Sequence, residues 1–198
     1  MAVRDEADIV RECLEHLTRW CDAVHVLDTG STDGTWEIVQ ECARRDERVR
    51  PFASEPIIFD NDVRGMVFER VRHTFAPGDW VARVDADEFY HIDPREFVAT
   101  NVRPNEARIF AQQYEFALTT KELDAWERGY ETLSSRSRPI EERRRAYVTD
   151  PVPEQRFFKF RRGMRWGRDH PNPFNPGLPA RVRIPVRHYR WRDPPQME

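Results

Sequence analysis

Residues 25–38 read HVLDTGSTDGTWEI, and the parsing of this stretch decides the fold. Residues 23–28 form a short β-branched run that ends in polar residues, the pattern of a buried strand. Residues 34–46 then place Trp36, Ile38, Val39, Cys42 and Ala43 at helical spacing. Between the two, Gly30 and Gly34 permit tight turns, and the oxygens of Ser31, Thr32 and Asp33 suit the free N–H groups at the start of a helix. Ligands of open parallel sheets sit beyond the carboxyl ends of the strands, which is where this corner falls. A carboxylate at that point costs desolvation unless it binds something, so Asp28 is a candidate binding residue.

Working outward, residues 7–21 (ADIVRECLEHLTRWC) place Ile9, Val10, Cys13, Leu14, Leu17, Trp20 and Cys21 on one helical face. Downstream, the pattern predicts a strand over 48–53, a helix over 62–75 and a strand over 79–85. This alternation predicts an α/β fold with a mostly parallel sheet and flanking crossover helices. After Glu88 the rhythm changes to three strands, over 107–118, 156–162 and 182–189, separated by long polar stretches. Nine of the 15 prolines lie beyond residue 150, so the C-terminal half is expected to be rich in loops. Residues 130–150, with many arginines and few apolar residues, are expected to be a mobile surface loop. No internal repeat is visible. The expectation is one domain over 1–198, with a ligand-binding half (1–90) and a second half (91–198).

At 198 residues the chain can bury a core but not two comfortable ones. The residues are 39% apolar, 12% aromatic and 34% charged, a globular balance with an extensive polar surface. Of the 32 basic residues all but Lys121 and Lys159 are arginine, a bias of composition more than of function. A net charge of −3 without a basic block argues against nucleic acid as the main partner. Cys13, Cys21 and Cys42 are odd in number and lack CxxC spacing, which reads as reduced, buried thiols. Without a signal segment or an apolar run long enough to span a bilayer, the expected location is cytoplasmic. Both ends read as clipped: MAVRDE leaves room for only a stub of an opening strand, and DPPQME starts a Pro-initiated helix.

VDADEF, residues 84–89, raises the question of Asp28 again. In extended geometry the carboxylates of Asp85 and Asp87 point to one side and repel each other, and a hard divalent cation would relieve that. D-x-D alone is a weak signal, since acidic loops contain it by chance.

Taken together, VRDEADIV (3–10), VLDTGSTDGTWEIV (26–39) and GDWVARVDADEF (78–89) resemble the nucleotide-sugar-dependent glycosyltransferases of family 2, which have the GT-A fold. RFFKFRRGMRWGRDH (156–170) and VRHYRW (186–191) are similar, more loosely, to later segments of that family. The resemblance implies a donor that is a nucleotide diphosphate sugar, a uridine diphosphate sugar first of all, and a Mn²⁺ or Mg²⁺ that bridges its diphosphate. It implies Val3, Asp5 and Asp28 around the base, Asp85 at the ribose or a metal-bound water, and Asp87 on the metal. His188 and His170 are candidates for further ligands, with a structural or exposed histidine as the alternative for each. Arg70 and Arg72 are the nearest candidates for phosphate contacts. Glu88 orients the neighbouring carboxylates or makes a simple salt bridge. The family's inverting chemistry requires a general base, for which Asp169 and Asp150 stand in the acceptor half. Trp126, Tyr130, Trp166 and Trp191 are candidates for stacking on a sugar, or core aromatics. Pro171 stands where the family pattern has an acid after His170, which bears on acceptor activation. The acceptor, be it glycan, lipid, peptide or small molecule, and the oligomeric state are not specified. A nucleotidyltransferase would want a Gly-rich loop with a lysine near the N-terminus, absent from MAVRDEAD. A non-catalytic nucleotide-sugar-binding module is the rival from another class.

Overall fold

The computed structural model describes residues 1–58, 61–167 and 170–197. The chain opens with a two-residue strand, β1 (Ala2–Val3), and α1 (Val10–Leu17), whose Val10, Cys13, Leu14 and Leu17 are buried as their spacing requires. There follow β2 (Val24–Asp28), α2 (Thr35–Arg45), β3 (Val49–Ser54), α3 (Asn61–Val71) and β4 (Trp80–Ala82). A short β5 (Glu88–Tyr90) and α4 (Pro94–Asn101) lead into the long β6 (Glu106–Phe116) and α5 (Thr120–Glu127). The remainder is α6 (Ile140–Arg143), β7 (Tyr147–Thr149), β8 (Glu154–Lys159), β9 (Leu178–Pro179), β10 (Ile184–His188) and α7 (Pro194–Met197). Local chemistry sets several of these boundaries. Asp93 caps α4 by accepting from the Arg95 N–H, with Pro94 in the first turn. Thr119 and Glu122 close a reciprocal capping box on α5.

The α/β class is as expected, and the strands divide into two sheets. The first, in the order β1-β2-β3, is parallel throughout. The second runs β4-β8-β6-β10-β5, with β7 and β9 also paired to β6. In it β10 is parallel to β6, while β5 is antiparallel to β10, and β8 is antiparallel to both β4 and β6. Parallel pairing thus dominates only the first three strands; in the second sheet β8 lies antiparallel between β4 and β6, and β5 lies antiparallel on the far edge beside β10. The main core lies between α1, α2 and both sheets, and two smaller apolar clusters form around Phe68, Phe158 and Trp166 and around Leu27, Val63 and Val67. No helix among the described residues is long and apolar enough to cross a membrane.

Residues 130–150 lie mostly at the surface, as expected, but they are not an irregular loop throughout. Ile140 and Arg144 are fully buried, and the segment contains α6 and β7. Arg138 and Arg145 are exposed, but other arginines of the segment are held in the fold: Arg144 donates to the Arg192 carbonyl (2.5 Å) and Glu131 (3.0 Å), and Arg136 makes a two-pronged pair with Asp193 (2.9 and 2.7 Å). Glu12 of α1 accepts from the Ile140 N–H at 3.0 Å.

Candidate functional site

The corner after β2 is a closed network. Asp28 is fully buried, and its carboxylate accepts from the N–H groups of Gly30 (3.1 Å) and Ser31 (3.2 Å), from the Ser31 hydroxyl, and from the Ser54 hydroxyl (2.7 Å). The desolvation cost that pointed to a ligand is therefore met by the corner itself. The neighbouring loop is sewn on: Asp5 accepts from the Thr32 N–H (2.8 Å) and donates its own N–H to Ser31 (2.9 Å), while Asp33 accepts from Ala7 (2.9 Å). Asp5 takes a left-handed φ of 53°, a conformation that Asp tolerates better than most side chains. Asp33 also accepts from Thr35 N at 3.0 Å, so the expected capping holds for it, whereas Ser31 and Thr32 bind the 5–7 loop or Asp28. Val3 is a ladder residue whose carbonyl accepts from Thr29 N at 2.9 Å.

Residues 83–87 join β4 to β5 outside either strand, so Asp85 and Asp87 are not presented side by side on extended backbone, and each has its own partners. Asp85 accepts from Arg156 at 2.8 Å, with Arg64 at 3.5 Å. Burial opposes its ionisation, but Arg156, Arg64 and Arg83 outweigh that and hold its carboxyl well below the usual carboxylate range. Arg156, itself buried, also grips Glu88, which accepts in addition from Gln113 Nε2 (3.0 Å). Burial pushes the Glu88 carboxyl up, and Arg156 works against it.

Asp87 lies on the other arm. Its Oδ2 is 3.1 Å from His188 Nε2, and His188 Nδ1 is 2.8 Å from Glu115 Oε1. The topology explains the alignment: β10 is parallel to β6 and pairs His188 with Glu115, while its other edge pairs His188 with Glu88 of β5. The Asp87 carbonyl also accepts from Tyr189 N at 2.9 Å, which pins the turn to the end of β10. Burial disfavours the charged ring, but the hydrogen bond and charge of Asp87, with Glu88 and Glu115, raise the His188 pKa to about 9. Beyond it Arg192, 1% exposed, is 3.8 Å from Asp87 and 2.7 Å from both Glu6 and Asp8. It ties the 5–8 loop to the D-x-D turn.

The other expected residues lie elsewhere. Arg70 pairs with Glu55 (2.8 Å) and Arg72 with Glu69 (3.0 Å), so both cations serve carboxylates near α3. His170 is exposed and stacks edge-on against Phe174, its carbonyl accepting from Trp166 Nε1 at 2.8 Å. Asp150 accepts from the Val152 N–H (2.8 Å) in a local turn, and Asp169 lies outside the described residues. Trp166 is buried in a core cluster, Trp126 is half-buried, and Tyr130 and Trp191 are exposed. Among the described residues no three His, Cys, Asp or Glu side chains gather as a metal cluster. The convergent pair is Asp87 and His188. Reading the sequence did not single out Arg64, Arg83, Glu115, Arg156 or Arg192, although Arg156 opens the quoted 156–170 segment and Arg192 follows His188 by one helical turn's spacing.

Residues 1–55 match the family model described as Glycosyl transferase family 2. Among curated proteins none matches. Among solved structures, the chain is similar to the mannosyltransferase PcManGT from Pyrobaculum calidifontis, determined in complex with GDP-Man and Mn²⁺, at 18% identity and a TM-score of 0.44. That likeness covers 80% of this chain and 42% of the other, so the chain spans less than half the length of the structure it matches.

Proposed function

We propose, from the premise that residues 1–55 are a family 2 glycosyl transferase segment, that this chain transfers a sugar from a nucleoside diphosphate sugar to an acceptor. The observation that carries the reading is the convergence of Asp87 Oδ2 and His188 Nε2 at 3.1 Å, with Glu115 behind the ring. Asp87 and His188 would hold Mn²⁺ or Mg²⁺. Two protein ligands suit a hard cation that completes its shell with phosphate oxygens and water. A carboxylate on the far nitrogen is the usual support of a ligating histidine, fixing its tautomer and orientation. Bound there, the cation supplies charge stabilisation to the departing diphosphate.

The chain's own residues do the rest. Arg192 steadies Asp87 from behind, and Arg156 holds Asp85 and Glu88 so that the D-x-D turn keeps one shape. Asp28 acts by shaping the 28–33 corner, whose backbone and the adjoining Val3–Asp5 loop would receive the base; uracil is the base proposed. Asp85 would face the ribose. Inversion would draw on a base from the acceptor half, for which Asp150 and Asp169 remain the candidates to replace first.

Calorimetry of uridine diphosphate binding, with and without Mn²⁺, tests this in the wild-type chain and in Asp87→Asn. Nucleotide and Mn²⁺ are expected to bind with positive coupling in the wild type and without it in the variant. Equal coupling in both would overturn the metal role of Asp87. Turnover of a donor sugar distinguishes an enzyme from a module that only binds, and guanosine diphosphate in parallel tests the base.

A further inference from the structure

Arg192 is a buried cation shared among three carboxylates from two different parts of the chain. Its Nε and Nη2 donate to the two oxygens of Asp8 at 2.7 and 3.0 Å, and Nη2 also donates to Glu6 at 2.7 Å. Nη1 donates to the Tyr189 carbonyl at 3.2 Å and stands 3.8 Å from Asp87 Oδ2, an ion pair without a hydrogen bond. The backbone of Arg192 is fixed as well, its carbonyl accepting from Arg144 and its N–H donating to Gln196 at 3.1 Å. A planar fork held in this way divides its charge, and attraction spent on one carboxylate is withheld from the others.

Glu6 and Asp8 sit on the 5–8 loop, whose backbone is tied to a different partner. Three successive N–H groups, of Asp5, Glu6 and Ala7, donate to Ser31 Oγ (2.9 Å), Thr35 Oγ1 (2.7 Å) and Asp33 Oδ2 (2.9 Å) in the corner after β2. The loop therefore stands between the corner proposed to receive the base and the arginine that pairs with Asp87. Around Arg192 carboxylates are in surplus. Burial pushes the Glu6 carboxyl up to about 8 against the pull of Arg192, and the charges of Asp87 and Asp8 add to that push. Once Asp87 turns to another cation the surplus is relieved, and the charge of Arg192 falls to the loop alone.

We propose that Arg192 is a positioning residue that couples the two halves of the site: when Asp87 and His188 hold a divalent cation, Arg192 passes from Asp87 to Glu6 and Asp8, and the 5–8 loop closes more firmly on the 31–35 corner. The inference rests on the metal reading of Asp87 given above. It adds that cation and base assist each other through the protein, without the diphosphate that would touch both. Such coupling is reciprocal between the two sites.

The test uses uridine, which carries a base but no phosphate to bridge to a metal, with guanosine in parallel. The wild-type chain is compared with Glu6→Gln/Asp8→Asn, which keeps the size of both side chains, removes the charges to which Arg192 passes, and leaves Asp87, His188 and Arg192 in place. Calorimetry measures Mn²⁺ and nucleoside binding, and hydrogen exchange read by mass spectrometry follows residues 3–10. In the wild type, Mn²⁺ is expected to raise nucleoside affinity about fivefold or more, the lower end of ordinary coupling between sites. Without nucleoside, Mn²⁺ is expected to slow exchange in residues 3–10 by a similar factor. The double variant is expected to bind Mn²⁺ and show neither effect, and Asp8→Asn alone, the milder change, to give a coupling between the two. If Mn²⁺ binds to the wild type and leaves either quantity unchanged, or if the variants couple as the wild type does, the role of Arg192 is overturned and the metal at Asp87 stands. If Mn²⁺ does not bind, or binds equally to Asp87→Asn, the metal reading falls and this inference falls with it.

Discussion

His188 stands between two carboxylates, Nε2 at 3.1 Å from Asp87 and Nδ1 at 2.8 Å from Glu115. One partner belongs to the D-x-D turn and the other to the interior strand β6, so Glu115 fixes the ring that faces Asp87. Under the proposed function, Glu115→Gln keeps shape and removes charge. Mn²⁺ affinity in the presence of nucleotide is expected to fall roughly tenfold to a hundredfold, the range for loss of a supporting partner. Calorimetry reads this directly, and an unchanged affinity would show Glu115 to be only a packing residue.

Arg156 is the single cation in hydrogen-bonding reach of both Asp85 and Glu88 among the ion pairs described, and it is 2% exposed. Arg156→Met leaves the buried Glu88 without its cation and the half-buried Asp85 with Arg64 alone among the ion pairs described; breaking a buried pair of the Glu88 kind costs about 3–5 kcal/mol. Urea unfolding measures the loss. Adding Glu88→Gln to the same chain removes one orphaned charge and is expected to recover part of it. Additive losses would mean that the arginine acts through packing alone.

The corner at 25–38 was legible because two periods meet there, and neither depends on distant residues. The D-x-D geometry was not. β5 is three residues long, too short for a period to register, yet its antiparallel pairing is what sends Asp87 to His188. The need for compensation at Asp28 was legible, but its source was not, because the N–H groups of Gly30 and Ser31 and the hydroxyls of Ser31 and Ser54 converge on the carboxylate only once the turn and the β2–β3 pairing have formed. Arg144 falls in a stretch that reads as a surface loop, and Arg156 in a predicted strand with no partner assigned to it. Their partners lie far along the chain, Asp85 being 71 residues from Arg156, and no local pattern encodes such a pairing.

Gly30 and Gly34 both sit at left-handed φ, 95° and 96°. A Cβ on Gly34 meets nothing within 4 Å, whereas one on Gly30 falls 2.9 Å from the Pro56 backbone. Gly34→Ala is expected to cost the conformational penalty alone, about 1–2 kcal/mol, and Gly30→Ala distinctly more. Paired urea titrations decide it. A milder effect at Gly30 would mean that the loop carrying Pro56 yields freely.

His16 accepts a hydrogen bond from the Tyr90 N–H at 3.0 Å through Nε2, which requires a neutral ring. Burial, with Arg19 and Arg187 adding to it, lowers its pKa from 6.5 to about 4. The unfolded chain therefore takes up this proton first, and stability is lost as pH falls from about 6.5 towards 4. His25, lowered to about 4 chiefly by burial, acts in the same window. His16→Asn is expected to flatten the Tm profile between those pH values without abolishing its slope. An identical slope in the variant would assign the whole effect to other groups.

Asp193 is the latch of the 130–150 segment. It is fully buried, receives both prongs of Arg136, and stands 3.9 Å from Arg143. Arg144 fixes the same segment through the Arg192 carbonyl and Glu131. With so many arginines, the segment is a ready substrate for trypsin once it detaches, so cleavage reports local opening. In the wild-type chain, cutting at Arg136–Arg145 is expected to require global unfolding and to follow its denaturant dependence. Asp193→Asn removes the charge that Arg136 and Arg143 share while keeping the side chain's size. Cleavage there is then expected to become at least tenfold faster, with sites in α1 and α2 still protected. If Asp193→Asn speeds cleavage equally at all sites, the latch serves the whole fold; if it changes none, Arg144 alone holds the segment down.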